Sequence, residues 1–138
     1  MWYIPYSIKK YGTMRNQVEN LLEHDLTKKQ IYDILLNRYK KRILKDNKNL
    51  KFVSKSVAKN LLEKNKNDIV AFKIFFCTDS KDRFYDADFH FRIYLKDKRR
   101  WKEKIGGDPP QDSESGMLDN WNGDDCLYDS KTLFFLKK

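Results

Sequence analysis

The chain has 138 residues, of which 40% are hydrophobic and 36% are charged, and it carries a net charge of +9. This length suits one domain and is short of two. Since no apolar run approaches the roughly 20 residues that a membrane span needs, the sequence argues against a membrane protein, and its composition is neither collagen-like nor typical of a coiled coil. We therefore expect residues 1–138 to form a single globular domain.

The charge is spread unevenly along the chain. Residues 1–105 hold 26 basic and 13 acidic side chains, whereas residues 106–130 hold seven acidic side chains and no basic one. A basic body of this kind attracts phosphate polymers and acidic proteins. We interpret residues 106–130 as an acidic loop or hairpin insertion. The alternative for the basic part is a lysine-rich solvated surface, because lysines alone specify no partner.

The cysteine content suggests a reducing compartment. Cys77 and Cys126 are too few for a disulfide framework, and Cys77 falls in an apolar segment that predicts a small core residue. Cys126 stands beside acidic residues, which do not activate a thiol as a nucleophile. Polar residues and a proline interrupt residues 1–11, which is untypical of a signal peptide. The expected location is the cytoplasm.

Three helices are predicted in the first half of the chain, over residues 13–24, 28–44 and 55–65. Their apolar residues recur at intervals of three and four. Thr27 and Gln30 form a capping box at the start of the second helix, and Ser54 or Ser56 caps the third. Before them, residues 2–9 contain a proline, which predicts an edge strand or an arm.

The apolar period changes from 3.6 to 2 in the second half of the chain. Strands are predicted over residues 69–77, 84–95 and 132–136, and the first two form an antiparallel hairpin. Within residues 84–95, Phe89 and Phe91 are expected to face the core. Asn122 and Gly123 predict a type I′ turn.

The order of elements resembles that of a winged helix-turn-helix over residues 13–96. Residues 26–31, Leu-Thr-Lys-Lys-Gln-Ile, look like the start of a supporting helix. Residues 53–58, Val-Ser-Lys-Ser-Val-Ala, look like the start of a recognition helix. The fold class expected is therefore α+β, with an N-terminal strand or arm, three helices, an antiparallel hairpin and a final strand in winged-helix-like order.

The basic surface supplies the candidate binding site. Helix 55–65 would enter a major groove, while the hairpin turn and the basic run after residue 95 would contact the adjacent backbone. Trp101, inside that run, would stack on an unpaired base, although it would close the edge of the core in the alternative interpretation. The candidate nucleic-acid-binding residues are Lys55, Lys59, Asn60, Lys81, Arg83, Lys98, Arg99, Arg100, Trp101 and Lys102.

A weaker candidate site is the polar face of strand 84–95. Asp86, Asp88 and His90 are alternate residues that project side by side about 7 Å apart, as the ligands of a metal-dependent nuclease would. The alternative is an exposed sheet face on which the aspartates pair with Arg92 or with lysines across the strand. No cofactor is predicted, and no metal beyond this candidate.

The leading interpretation is a small, non-enzymatic nucleic-acid-binding protein whose partner is DNA or RNA. Such a protein would act as a replication or regulatory factor of a virus or mobile element. The first alternative is an interaction or inhibitor protein that docks an acidic or nucleic-acid-processing partner. The second alternative is a small nuclease or toxin-like ribonuclease. A membrane partner is not expected.

Overall fold

A computed structural model describes residues 12–103, 109–123 and 126–138 as a mixed α+β fold, as the sequence predicts. The helices are α1 (Met14–Leu22), α2 (Lys28–Asp46) and α3 (Lys55–Lys64). The strands are β1 (Leu50–Val53), β2 (Ile69–Thr78), β3 (Phe84–Leu95), β4 (Arg100–Glu103), β5 (Gln111–Asp112) and β6 (Leu133–Lys137). The predicted arm at residues 2–9 lies outside the described residues. Within the described ranges, none of the three helices combines the length and the apolar character needed to cross a membrane.

The helix boundaries follow the capping residues. The predicted capping box is present, because Thr27 accepts a hydrogen bond from the backbone of Gln30 and the Gln30 side chain accepts one from the backbone of Thr27. Ser54 caps α3 by accepting from the backbone of Val57. Asn65 ends α3 in the left-handed conformation, with φ 51°, which asparagine tolerates better than most residues.

All the strands join one antiparallel sheet in the order β1-β6-β2-β3-β4-β5. The predicted hairpin of β2 and β3 is its centre, in register from Ile69 opposite Tyr94 to Thr78 opposite Phe84. The strands β1, β4 and β5 are additions to the predicted set. They are four residues long or shorter, so their place in the sheet comes from pairing with longer neighbours rather than from a local apolar pattern.

Both faces of the sheet are covered. Val70, Phe72 and other alternate residues of β2 belong to a core shared with α1 and α2. Ile69, Ala71 and Phe75, on the opposite face, belong to a second core that contains Ala58 of α3 and residues of the 117–128 stretch. A central strand that is buried on both faces is apolar along its whole length, which explains the sequence of β2.

The winged-helix-like arrangement is not confirmed. The helices α1 and α2 pack on one face of the sheet, while α3 packs on the other. The reason is β1, which was not predicted: it carries the chain along the edge of the sheet between α2 and α3, so the third helix starts on the opposite face. Six strands also replace the two-stranded wing.

The two cysteines are bonded to each other, which differs from the reduced state that the sequence suggests. Cys77, at the end of β2, and Cys126 form a disulfide with their Cα atoms 6.8 Å apart, across 49 residues of sequence. The pairing depends on the return of residues 109–123 and 126–130 to the sheet, which no local pattern reveals. Disulfides are rare in reducing compartments, so this disulfide does not support the predicted location in the cytoplasm.

The Asn122-Gly123 turn also differs from the prediction. A two-residue type I′ turn would pair residue 121 with residue 124, whereas Trp121 forms an isolated antiparallel bridge with Tyr128. The connection is therefore longer than a tight hairpin. Gly123 is required there, because a Cβ atom at this position would lie 2.3 Å from the carbonyl oxygen of Cys126.

Candidate nucleic-acid interface

The predicted binding residues do not form one surface. Lys81 and Arg83 lie in the turn between β2 and β3, whereas Lys98 and Arg99 lie in the turn between β3 and β4. These turns stand at opposite ends of β3, which has 12 residues and is therefore about 40 Å long. The two turns are therefore too far apart to contact the same few phosphates.

The turn between β2 and β3 is satisfied internally. The Arg83 guanidinium donates to Asp79 Oδ2 at 3.0 Å, and the backbone amides of Arg83 and Lys81 donate to Asp79 Oδ1 at 3.0 and 2.8 Å. These backbone hydrogen bonds, that of Arg83 first, lower the pKa of Asp79 below its usual range. Arg83 therefore holds the turn in shape.

Trp101 is a core residue. It is 8% exposed, its ring lies 5.6 Å from that of Tyr94, and a Cβ atom added at Gly116 would come within 2.5 Å of its Cζ3 atom. The proposed stacking of Trp101 on a base is thus corrected, because the indole is covered from both sides in the folded protein. A tryptophan in a charged run gives no sequence signal of which neighbours will cover it.

Two other candidates are held by acidic residues of the 106–130 segment. Lys102 Nζ donates to Asp112 Oδ1 at 2.5 Å, and Lys55 Nζ donates to Asp119 Oδ1 at 2.9 Å. Hydrogen bonding to Lys102 lowers the pKa of Asp112, and hydrogen bonding to Lys55 lowers that of Asp119. Arg100 also approaches Asp112, at 3.5 Å. Phosphate would have to compete with these carboxylates.

Four segments of the chain meet at one end of the sheet. The backbone amide of Lys96, after β3, donates to Asp68 Oδ1 at 3.0 Å, just before β2. The amide of Lys137 donates to the carbonyl of Asp68 at 3.1 Å, and that of Lys138 donates to the carbonyl of Asn49 at 2.8 Å. The ends of β3 and β6 and the starts of β1 and β2 are therefore fixed side by side.

The end of α3 joins the same group. Asn65 Nδ2 donates to the carbonyl of Lys96 at 3.1 Å, and Asn65 Oδ1 accepts from the hydroxyl of Tyr94 at 2.5 Å. The last turn of α3 is thereby tied to the turn between β3 and β4, where the backbone amide of Lys98 donates to the carbonyl of Leu95.

Exposed cations crowd this end of the sheet, which we call the basic end. The basic end comprises Lys48, Lys51, Lys64, Lys66, Lys96, Lys98, Arg99, Arg100, Lys137 and Lys138. Apart from Arg100, none of these side chains forms an ion pair with another described residue. The acidic side chains of the same segments are Glu63, Asp68 and Asp97. The local balance is thus strongly positive.

Sequence reasoning found only part of this surface. Lys98, Arg99 and Arg100 were predicted, and Lys59 and Asn60 are exposed on α3 but were assigned to a groove-binding helix. The other members of the basic end come from segments far apart in sequence. The sequence offered one indication of the other members. Lysines stand near the ends of the predicted elements, and pairing in an antiparallel sheet places such ends side by side.

The candidate metal residues face different partners. His90 Nε2 lies 2.5 Å from Glu103 Oε2, Asp88 Oδ2 accepts from the Tyr128 hydroxyl at 3.3 Å, and Asp86 accepts from a neighbouring backbone amide. Burial raises the pKa of Asp88. In the parts of the chain that the structure describes, no group of three His, Cys, Asp or Glu side chains is placed to hold a metal ion.

The alternative interpretation of this face, an exposed surface with paired aspartates, holds only in part. Arg92 is 5% exposed and its guanidinium lies 4.5 Å from the ring centroid of Trp121, which is fully buried. Residues after β4 therefore cover the Arg92 end of this face, whereas Asp88 stays exposed. No protein-family model, no curated protein and no solved structure matches this chain, so function is inferred from these residues themselves.

Proposed function

We propose that the protein binds nucleic acid through the basic end and contacts phosphates rather than base edges. The supporting observation is that ten exposed lysines and arginines from sequence-distant segments converge there. Cations that neutralise phosphates release condensed counterions, and this release drives sequence-independent binding. The backbone that carries these side chains is already fixed by the sheet, so little further ordering is needed for them to bind together.

The dimensions of the basic end suit a duplex backbone. The strands β1, β6, β2, β3 and β4 all start or end there, and strands about 4.8 Å apart make a row roughly 20 Å wide. A duplex presents roughly 12 phosphates over that length. The exposed large hydrophobic side chains among the described residues, Val57, Tyr85, Leu118 and Leu127, are not members of the basic end, which favours phosphate contact over base stacking.

A salt titration with matched variants tests this proposal. Binding of duplex DNA and of RNA should weaken linearly in a plot of log affinity against log salt, with a slope of about −0.9 per neutralised phosphate on DNA. The double variant Lys98→Gln, Arg99→Gln should flatten the slope by about two phosphates. The matched control is Lys81→Gln, Arg83→Gln, which removes the same charges from the turn at the other end of β3.

The comparison of the two double variants decides the outcome. If the control flattens the slope as much as the basic-end variant does, attraction is general to the molecule and the basic end is not the interface. Absence of binding at low salt also rejects the proposal.

The alternative function is docking of an acidic protein on the same cations. The observation in its favour is that a carboxylate of this chain, that of Asp112, already pairs with Arg100 of the basic end. A polyglutamate peptide separates the two functions. If the peptide binds at the basic end with a higher affinity than DNA of equal charge does at the same salt, the partner is an acidic protein; the reverse order supports nucleic acid.

A further inference from the structure

The sheet has a gap beside the second half of β2. The strand β6 pairs with β2 only from Ile69 to Phe72, the latter opposite Leu133. Beyond that point Ser130 replaces a strand: its hydroxyl accepts from the amide of Ile74 at 3.0 Å, and its own amide donates to the carbonyl of Ile74 at 3.4 Å. A cleft opens between residues 129–132 and the start of α3.

This cleft has the size and lining of a small-molecule site. Its volume is about 590 Å³, within the range typical of ligand pockets. Its charged lining residues are three lysines and two aspartates, namely Lys55, Lys73, Lys131, Asp119 and Asp129. The hydroxyl groups of Ser54, Ser130 and Thr132 also line it. The apolar side chains of Val53 and Phe134 also line it. It therefore offers charged groups and an apolar wall to one ligand.

Lys73 is a buried cation with too few partners. It is 1% exposed, and its one hydrogen bond to a described residue is donated by Nζ to the Ser130 carbonyl oxygen at 2.6 Å. An ammonium group has three donors, and a buried charge without a close counter-ion is unfavourable. Burial lowers the pKa of Lys73 to about 8. A buried lysine within the apolar run of β2 thus lowers the stability of the folded protein. Residues that lower stability in this way are often functional.

Two further buried donors near Lys73 lack hydrogen-bond partners in the part of the chain that the structure describes. Trp121, whose ring centroid lies 5.9 Å from Lys73 Nζ, has a buried Nε1 atom without a hydrogen-bond partner among the described residues. The buried Nε atom of Arg92 is also without one. Unsatisfied buried polar atoms are uncommon in native proteins. Lys73, unlike Trp121 and Arg92, lines the cleft, so an acceptor-rich ligand there would supply partners to its ammonium group.

A second cation stands at the mouth of the cleft. Lys55 is the first residue of α3, a ten-residue helix whose amino-terminal end favours anions. Its Nζ atom already holds a carboxylate, that of Asp119, whose side chain is 87% exposed. Asp119 also favours the charged form of Lys73 and raises its pKa, against the larger effect of burial. One exposed carboxylate thus interacts with both lysines.

We propose that this cleft binds the phosphate group of a small phosphate monoester, with Lys73 and Lys55 as its cationic ligands and Asp119 as the carboxylate that it displaces. A phosphate dianion matches two lysines and a helix amino terminus better than a single carboxylate does. The apolar wall formed by Val53 and Phe134 would contact the organic part of the ligand. The site is separate from the basic end, because Lys73 lies opposite His90 in the middle of β3.

An NMR titration of the full chain with phenyl phosphate and, separately, inorganic phosphate tests the proposal. Both should cause saturable shifts of the backbone amides of residues 54–57, 119–120 and 130–132, and phenyl phosphate should bind more tightly. Equal binding of the two probes, or tighter binding of inorganic phosphate, would overturn the assignment to a monoester. Shifts confined to residues 96–99 would place the phosphate at the basic end instead and reject the cleft.

Substitutions assign the two lysines and the aspartate. Lys55→Met should weaken binding at least about tenfold, the value of one charge-assisted hydrogen bond, whereas Lys59→Met, which removes the same charge from the next turn of α3, should change it less than about twofold. Asp119→Asn should strengthen binding several-fold. Lys73→Met should abolish it while the amide spectrum stays that of a folded protein.

The surface variants keep the test decisive if Lys73→Met fails to fold. Equal weakening by Lys55→Met and Lys59→Met would show non-specific attraction and overturn the proposal. Weaker binding by Asp119→Asn would do the same, because it would make the carboxylate a partner of the ligand rather than its competitor.

Discussion

The hydroxyl of Tyr32 on α2 donates a hydrogen bond to Asp129 Oδ1 and accepts one from the backbone amide of Phe76 at 3.3 Å. Asp129 also accepts from Lys28 Nζ at 3.0 Å. One phenol thus joins a helix, the central strand and the segment that returns to the sheet. The Tyr32 hydroxyl accepts from the Phe76 amide at a point on β2 that β6 does not reach, since the pairing of β6 with β2 ends at Phe72.

Removing this hydroxyl should destabilise the protein. Tyr32→Phe leaves the buried amide of Phe76 without its acceptor, which costs about 1–3 kcal/mol. Chemical denaturation with an unchanged m-value measures the loss. Tyr85→Phe is the matched control, because Tyr85 is 59% exposed and its loss should be within about 0.5 kcal/mol. Equal losses of stability in the two variants would contradict this prediction, because they would show that water can replace the Tyr32 hydroxyl as the acceptor for the Phe76 amide.

Lys73 should make stability rise with pH. Its pKa is about 8 in the folded protein and 10.5 without the fold, so between these values the unfolded chain binds a proton that the folded chain has lost. Stability therefore increases as pH rises through this window, by roughly 2–4 kcal/mol in total. Chemical denaturation should be measured between about pH 7 and about pH 10, a range that covers most of the interval between the two pKa values of Lys73. The free energy of unfolding should rise with pH in the wild type and not in Lys73→Met.

The opposite slope would contradict the assignment of Lys73 as a buried, under-partnered cation. Other lysines titrate in the same range, but exposed ones change little between the folded and unfolded states and cancel in the difference between the two proteins. Addition of phenyl phosphate should reduce the rise, because a bound anion favours the charged amine.

Much of the secondary structure follows from local chemistry. Thr27, Gln30 and Ser54 satisfy the first amides of their helices within four residues of sequence, and the alternation of β3 is set by a face that contacts the core. Both signals are complete within a short window. The strands β1 and β4 carry no such signal, because each has a single buried residue, Leu50 in one and Trp101 in the other.

The candidate sites were less predictable, because they depend on where segments return. Nothing near Arg92 or Trp101 in sequence shows that Gly116 and Trp121 return to that face and cover the two side chains. The same return brings Cys126 to Cys77 and Asp119 to Lys55. Charge counts located a basic body, but only the pairing of strand ends concentrates its lysines at one place.

The disulfide should stabilise the layer that contains Trp121 and Tyr128 more than the helices on the other face. Closing a loop of 49 residues contributes about 2–4 kcal/mol, so Cys126→Ser or a thiol reductant should lower the free energy of unfolding by this amount. Hydrogen exchange should quicken at Trp121 and Tyr128, whose mutual backbone hydrogen bonds hold the layer, before it quickens in α2. A reductant should have no effect on Cys126→Ser; if it does, the loss arises elsewhere.

Arg99 should contribute to binding at a cost in backbone conformation. It has a positive φ of 52°, a left-handed conformation that costs a residue with a side chain about 1–2 kcal/mol and glycine almost nothing. Arg99→Gly should therefore leave the free energy of unfolding equal or higher, within about 1 kcal/mol, while it weakens nucleic-acid binding and flattens its salt dependence by about one phosphate. Arg99→Lys keeps the charge and should retain most of the binding at wild-type stability. If Arg99→Gly instead lowers stability and leaves binding intact, the arginine serves the turn and not the interface.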